Sequence, residues 1–291
     1  MMPTPPRPYR TTSYALPTAP LSYARRLQMP DGASLATFVY GTLDKDESPV
    51  LALHGNGGSH ATFAAVIDRL VAAGLAVIAF DARAQGQSTR GTAPLTYEQM
   101  AADAVAVLDE FGVEAAHVVG HSDGGIEALL LARDYAGRTA SIVAGGANLT
   151  PEGVIEEPDW DVAGSVRLNR AWADYWNDPH NACETKACHI DPALLSPSTD
   201  DALLSAELLQ LMLDEPHIDA KTLATIACPT CVLVGEHDCI TQEETHAIAN
   251  TIPGARLVVV PGVGHSLPRQ APDAVALQVL TNVLLANDRS R

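Results

Sequence analysis

The sequence predicts an α/β fold: a mostly parallel sheet flanked by helices and carrying an inserted helical cap. Three observations point to it. Short runs that are apolar on both faces recur along the chain, and such strands belong inside a sheet covered on both sides. Helical patterns alternate with the later runs, the order that parallel crossovers require. One long helix-like stretch interrupts the alternation without a strong strand of its own, and it reads as a cap over a site beyond the strand ends.

The elements follow in order. Residues 1–20, MMPTPPRPYRTTSYALPTAP, are rich in proline and read as a poorly ordered, flexible arm. Runs of β type at 21–28 and 33–41 precede PVLALHG at 49–55, AVIAFD at 76–81, AHVVGH at 116–121 and TASIVAGG at 139–146. Helical patterns at 60–73, 97–112 and 124–136 lie between them. Residues 150–225, with VRLNRAWADYWND and DDALLSAELLQLMLDE, make the expected cap. Alternation resumes with TCVLVGEHD, a helix at 242–251, ARLVVVPGVG and a closing helix at 271–286. The core domain is therefore expected over 21–149 and 226–291.

Composition narrows the function. Acidic residues outnumber basic ones 35 to 18, a net charge of −17, so the surface should repel nucleic acid and anionic lipid, and neither is an expected partner. The N-terminus lacks the apolar stretch of a secretory signal, and no run approaches the roughly 20 apolar residues that span a bilayer. A soluble cytoplasmic monomer or homodimer is expected. Five cysteines do not suggest a disulfide framework. Cys228 and Cys231 form CPTC, but the motif runs into VLVG instead of opening a helix, so both read as structural. Cys183, Cys188 and His189 lack a convincing fourth metal ligand.

The chemistry concentrates at VVGHSDGGIEAL, residues 118–129, where Ser122 stands between Gly120 and Gly124 at a strand-to-helix turn. A turn this tight strains the serine backbone, requires glycine two residues to either side, and aims the hydroxyl out of the sheet. Serine is a weak nucleophile without a base, and the base needs a carboxylate to orient it. In this strand–helix order, the acid and the histidine should each follow one of the last two strands. Asp238 follows CVLVGEH and His265 sits in PGVGHS. Glu236 is the rival acid, but it lies nearer the strand body. An oxyanion needs two backbone donors. The N–H of Asp123, directly after the serine, should be one, and Asn56 in the glycine-rich HGNGGS loop at 54–59 the other.

Together HGNGGS, FDARAQGQS at 80–88, GHSDGG, GEHD and GVGH resemble the α/β-hydrolase superfamily in order and context. The resemblance covers about residues 21–288. It implies an eight-stranded, mostly parallel sheet, a catalytic Ser122–Asp238–His265 triad, an ester-like small-molecule substrate and no cofactor. Asp81, Arg83, Gly86 and Ser88 match the family's turn after the fourth strand and imply a structural role there, while Ala84 and Gln85 depart from the commoner Gly-His. A serine nucleophile argues against dehalogenases and epoxide hydrolases of this fold, which carry aspartate. Ester, thioester, lactone, amide and carbon–carbon bond hydrolysis, as well as perhydrolysis, stay open, as does a ligand receptor on the same scaffold, which turnover would separate.

GHSDGGIEALLLA followed by GGANLTPEG is similar to the biphenyl-hydrolase-like, valacyclovir-hydrolase type. That similarity implies that Asp123, besides its N–H, recognises the α-amino group of a substrate; its alternative role is to favour the N-terminus of the helix it opens. EEPDWD, with Glu156, Glu157, Asp159 and Asp161, would add negative potential at the cap. Trp160, Trp172 and Trp176 are candidates to line or brace the cap, and Trp172 and Trp176 share a helical face. Leu208, Leu211 and Met212 have the same reading.

Overall fold

In the computed structural model, residues 2–7, 9, 15–44, 47–155, 161–178, 180, 181 and 196–289 are described. One eight-stranded sheet organises them, in the order β1-β2-β4-β3-β5-β6-β7-β8. The strands are β1 Leu21–Gln28, β2 Ser34–Tyr40, β3 Val50–Leu53, β4 Val77–Phe80, β5 Ala116–His121, β6 Thr139–Gly145, β7 Thr230–His237 and β8 Arg256–Gly264. The first hairpin and the β2–β4 pair are antiparallel, and every other pairing is parallel.

β3, β4 and β5 are buried along their whole length, as apolar runs without alternation require. Two core clusters lie on the two faces of the sheet. One joins Leu51, Ile78 and Val118 to Met100, Val107 and Leu129. The other joins Val50, Val77 and Val119 to Phe63, Ile67 and Val279. The first face is covered by α2 Tyr97–Glu110 and α3 Asp123–Asp134, the second by α1 Ala64–Ala72 and a closing helix, Pro272–Arg289.

Between β6 and β7 the chain leaves the sheet. There α4 Val162–Asn177 and α5 Thr199–Asp214 pack on each other, α4 capped by the Asp161 carboxylate and α5 by the Ser198 hydroxyl. Residues 1–20 form no helix or strand among those described, yet they attach to the core. Thr18 and Ala19 donate backbone N–H groups to Asp68, each at 2.7 Å, and Tyr9 reaches the 54–58 loop. Proline composition argues against regular structure, not against side-chain docking. No described helix is long and apolar enough to cross a membrane.

Candidate active site

Ser122 occupies the turn between β5 and α3 with φ 57° and ψ −120°, a left-handed backbone that an L-residue adopts only at a cost of about 1–2 kcal/mol. The neighbours explain the two glycines. A Cβ on Gly120 would fall on the Gly124 carbonyl, and one on Gly124 would fall on the Leu53 carbonyl of β3. The turn is tied down where the Ser122 N–H donates to the Gly145 carbonyl at 2.8 Å. The hydroxyl is thereby held at the N-terminus of α3.

Two loops complete the arrangement. His265, just after β8, brings Nε2 to 3.0 Å from Ser122 Oγ, and its Nδ1 lies 2.7 Å from Asp238 Oδ1. Asp238, just after β7, also accepts from the backbone N–H of Ile240 at 3.0 Å and Gly235 at 3.4 Å. Burial opposes the Asp238 charge, but His265 and these N–H groups outweigh it and hold the carboxyl below its usual range. Burial likewise opposes the His265 imidazolium, but Asp238 and the Cys239 thiol beside it raise the imidazole above its ordinary value. Glu236 points elsewhere and accepts from the Gly262 N–H at 2.7 Å.

Asp123 is almost fully buried. Burial pushes its carboxyl up to about 6, against hydrogen bonds from the Tyr97 hydroxyl and the Asn56 side chain that favour the charged form. Asn56 Nδ2 donates to Asp123 Oδ2 at 2.8 Å and to the Leu208 carbonyl of α5 at 3.0 Å. His121, the last residue of β5, sets its Nε2 2.7 Å from the His265 carbonyl. Only an N–H can meet a carbonyl, so that tautomer carries the proton on Nε2, and burial with His265 nearby lowers its pKa to about 3.

Above these groups lies a cavity of about 940 Å³. It opens beyond the carboxyl ends of β3, β5, β6, β7 and β8, lined there by Asn56, Ser122, Asn148, Cys239 and His265, the usual ligand position in an α/β sheet. Met212 and Leu213 of α5 and Val162 and Ala163 of α4 line it from the other side.

Among the residues marked out in the sequence, Ser122, Asp238 and His265 thus meet in one hydrogen-bonded chain, and Asn56 and Asp123 stand beside it. Trp172 and Trp176 do not line the cavity. They stack edge-on at 5.6 Å, and the Trp172 indole N–H donates to the Pro197 carbonyl at 2.9 Å. Trp160, Glu156, Glu157, Asp159, Cys183, Cys188 and His189 lie outside the described residues. Cys228 is half-buried just before β7, and Cys231 is buried within it. Arg83 is fully buried in ion pairs with Asp103 at 2.7 Å and Asp31 at 3.0 Å. His121, Tyr97, Cys239 and Tyr9 were not marked out in the sequence. Only His121 carried a signal, a polar residue ending an apolar strand directly before the serine.

Comparison with known proteins places this geometry in a lineage. A model of the alpha/beta hydrolase family matches residues 50–279. The rhodomycin D methylesterase DnrP of Streptomyces peucetius is 29% identical over 282 residues, covering 84% of this chain and 94% of its own. A protein of Caulobacter sp. (strain K31) provisionally named as the carbamate hydrolase RutD is 28% identical over 256 residues, covering 83% and 92%. A hydrolase from Pseudomonas aeruginosa PA01 superposes with a TM-score of 0.66 at 26% identity, over 90% of this chain and 98% of its own. With the sheet order and the strained serine turn already in view, the match over residues 50–279 establishes that the chain belongs to the alpha/beta hydrolase family.

Proposed function

We propose that this hydrolase cleaves a small carboxylic ester, or a closely related acyl bond, through a covalent acyl-enzyme on Ser122. One observation carries the reading: hydrogen bonds of 3.0 and 2.7 Å link Ser122, His265 and Asp238 in series at the floor of the cavity. His265 Nε2 takes the hydroxyl proton as Oγ bonds to the substrate carbonyl carbon. The carbonyl π pair moves to oxygen, where the N–H groups of Asn56 and Asp123 receive it. Collapse of that intermediate breaks the bond to the alcohol, which leaves with the proton from His265. Water, deprotonated by the same imidazole, then attacks the acyl-enzyme, and the acid departs as Ser122 recovers its proton. Asp238 stabilises the imidazolium in both steps. α4 and α5 act as the cap that keeps bulk water off the cavity, and no cofactor takes part.

The relatives support an acyl substrate, since one is named a methylesterase and a neighbour of 25% identity from Thermogutta terrifontis is a thermophilic esterase. In this reading Asp123 works through its N–H and its hold on Asn56. The amine-binding role expected for its carboxylate loses ground because Asn56 and Tyr97 already donate to it. Hydrolysis of an α-amino acid ester and its N-acetylated form, by wild type and by Ser122→Ala, tests both points. Cleavage of the two at comparable efficiency, lost in Ser122→Ala, is the expected result. Strong preference for the free amine would return Asp123 to substrate recognition, equal turnover by wild type and Ser122→Ala would overturn the serine mechanism, and no turnover by either would favour a ligand receptor.

A further inference from the structure

Tyr9 lies in the proline-rich N-terminal segment, far in sequence from Asn56 and Met212, which its hydroxyl meets. Its hydroxyl donates to Asn56 Oδ1 at 2.9 Å and approaches Met212 Sδ of α5 at 3.4 Å. Its ring packs on the cluster of Val166, Ala206 and Leu209 between α4 and α5. On its other side it presses against the 54–58 loop so closely that a Cβ at Gly57, whose φ is +69°, would come within 3.1 Å of the ring. Tyr9 therefore sits between the helix pair and the loop that carries Asn56, and it lines the cavity itself.

Hydrogen-bond chemistry gives this placement a consequence. A carboxamide has two N–H donors and one acceptor oxygen. Both acceptors that meet Asn56 Nδ2, Asp123 Oδ2 and the Leu208 carbonyl, require the NH₂ side to face them. Oδ1 must then find a donor, and the Tyr9 hydroxyl supplies it. With its amide fixed at both ends, Asn56 spans the nucleophile turn, α5 and the N-terminal segment at once, and its side chain has little freedom to rotate.

We propose that Tyr9 is a positioning residue for hydrolysis: by orienting the Asn56 amide it holds the 54–58 loop at the geometry in which the loop's backbone N–H meets the substrate oxyanion. The inference rests on the acyl-transfer reading above.

The test is Tyr9→Phe, which keeps the ring and removes the hydroxyl, with the exposed Tyr23→Phe as control. Two readouts are taken: steady-state hydrolysis of a short-chain p-nitrophenyl ester, and amide hydrogen exchange of peptides spanning residues 54–58. Tyr9→Phe is expected to lower kcat by about tenfold, less than outright loss of an oxyanion donor, with KM within about twofold, and to speed exchange of the loop. Combining it with Asn56→Ala should cost no more than Asn56→Ala alone, since both act through one interaction. An unchanged kcat, a rise in KM alone, additive losses, or unchanged exchange would each overturn the role. Turnover that does not depend on Ser122 would instead overturn the hydrolase mechanism, and the exchange readout would then decide Tyr9's hold on the loop by itself.

Discussion

In the proposed mechanism the Asp238 carboxylate does to His265 what a general base at this position needs: it favours the imidazolium that forms when the serine proton moves. That mechanism requires neutral His265, so kcat/KM should fall as the pH drops through the imidazole titration. Because the carboxylate holds that titration above the ordinary imidazole value, the midpoint should lie above about 6.5. Asp238→Asn should move it down and lower kcat by about 10³-fold or more, as pH–rate profiles of the two proteins would check. Glu127, one turn beyond Asp123 on α3, is fully buried and its Oε1 has no hydrogen-bond partner. Burial, with Asp123 and Asp103 adding to it, raises its pKa well above the usual range. The folded chain then keeps a proton that the unfolded chain releases. Stability from this group is full below the unfolded carboxyl pKa and is lost as pH rises toward the folded value. Glu127→Gln, neutral at every pH, should flatten that decline and unfold at higher denaturant than wild type at pH 8.

At the scale of elements, the sheet brings loop residues together, and one of its close approaches is the contact of the β5–α3 turn with β3. Gly124→Ala would drive a methyl group into the Leu53 carbonyl, so it should either fail to fold or lose about 2–4 kcal/mol of stability in urea unfolding, with Ser122 displaced. Arg83→Ala, which strands Asp103 without its partner in the turn after β4, should cost about 3–5 kcal/mol by the same measurement. These features were legible in sequence because each is local: a glycine two residues from a serine, a histidine or aspartate ending an apolar run. The pairing of Asp238, not Glu236, with His265 was only half legible, since the two lie two residues apart at the end of β7 and the direction of each side chain is set by where the chain turns after the strand. Tyr9 and Tyr97 were not legible at all. Their partners lie in other elements, and proline-rich composition at residues 1–20 argues only against regular structure there.

For the whole molecule, the cavity is enclosed on one side by the sheet's loops and on the other by α4 and α5, and carboxylates of Glu152, Asp161 and Glu215 line it together with Arg269, the one arginine among its described lining residues. The chain's net charge of −17 adds a long-range field of the same sign. A neutral ester should therefore be cleaved with higher kcat/KM than a matched ester bearing a carboxylate, and the gap should narrow as salt is raised toward about 0.5 M, where screening acts over a few ångströms. In the proposed mechanism the relation of fold to chemistry comes down to one atom, Ser122 Oγ, held by a strained turn at 3.0 Å from His265 Nε2. The most direct test is to treat the protein with a fluorophosphonate and locate the adduct by peptide mass spectrometry. The account predicts one phosphonyl group on Ser122, formed far more slowly in His265→Ala; modification at another residue, or an equal rate without the histidine, would contradict it.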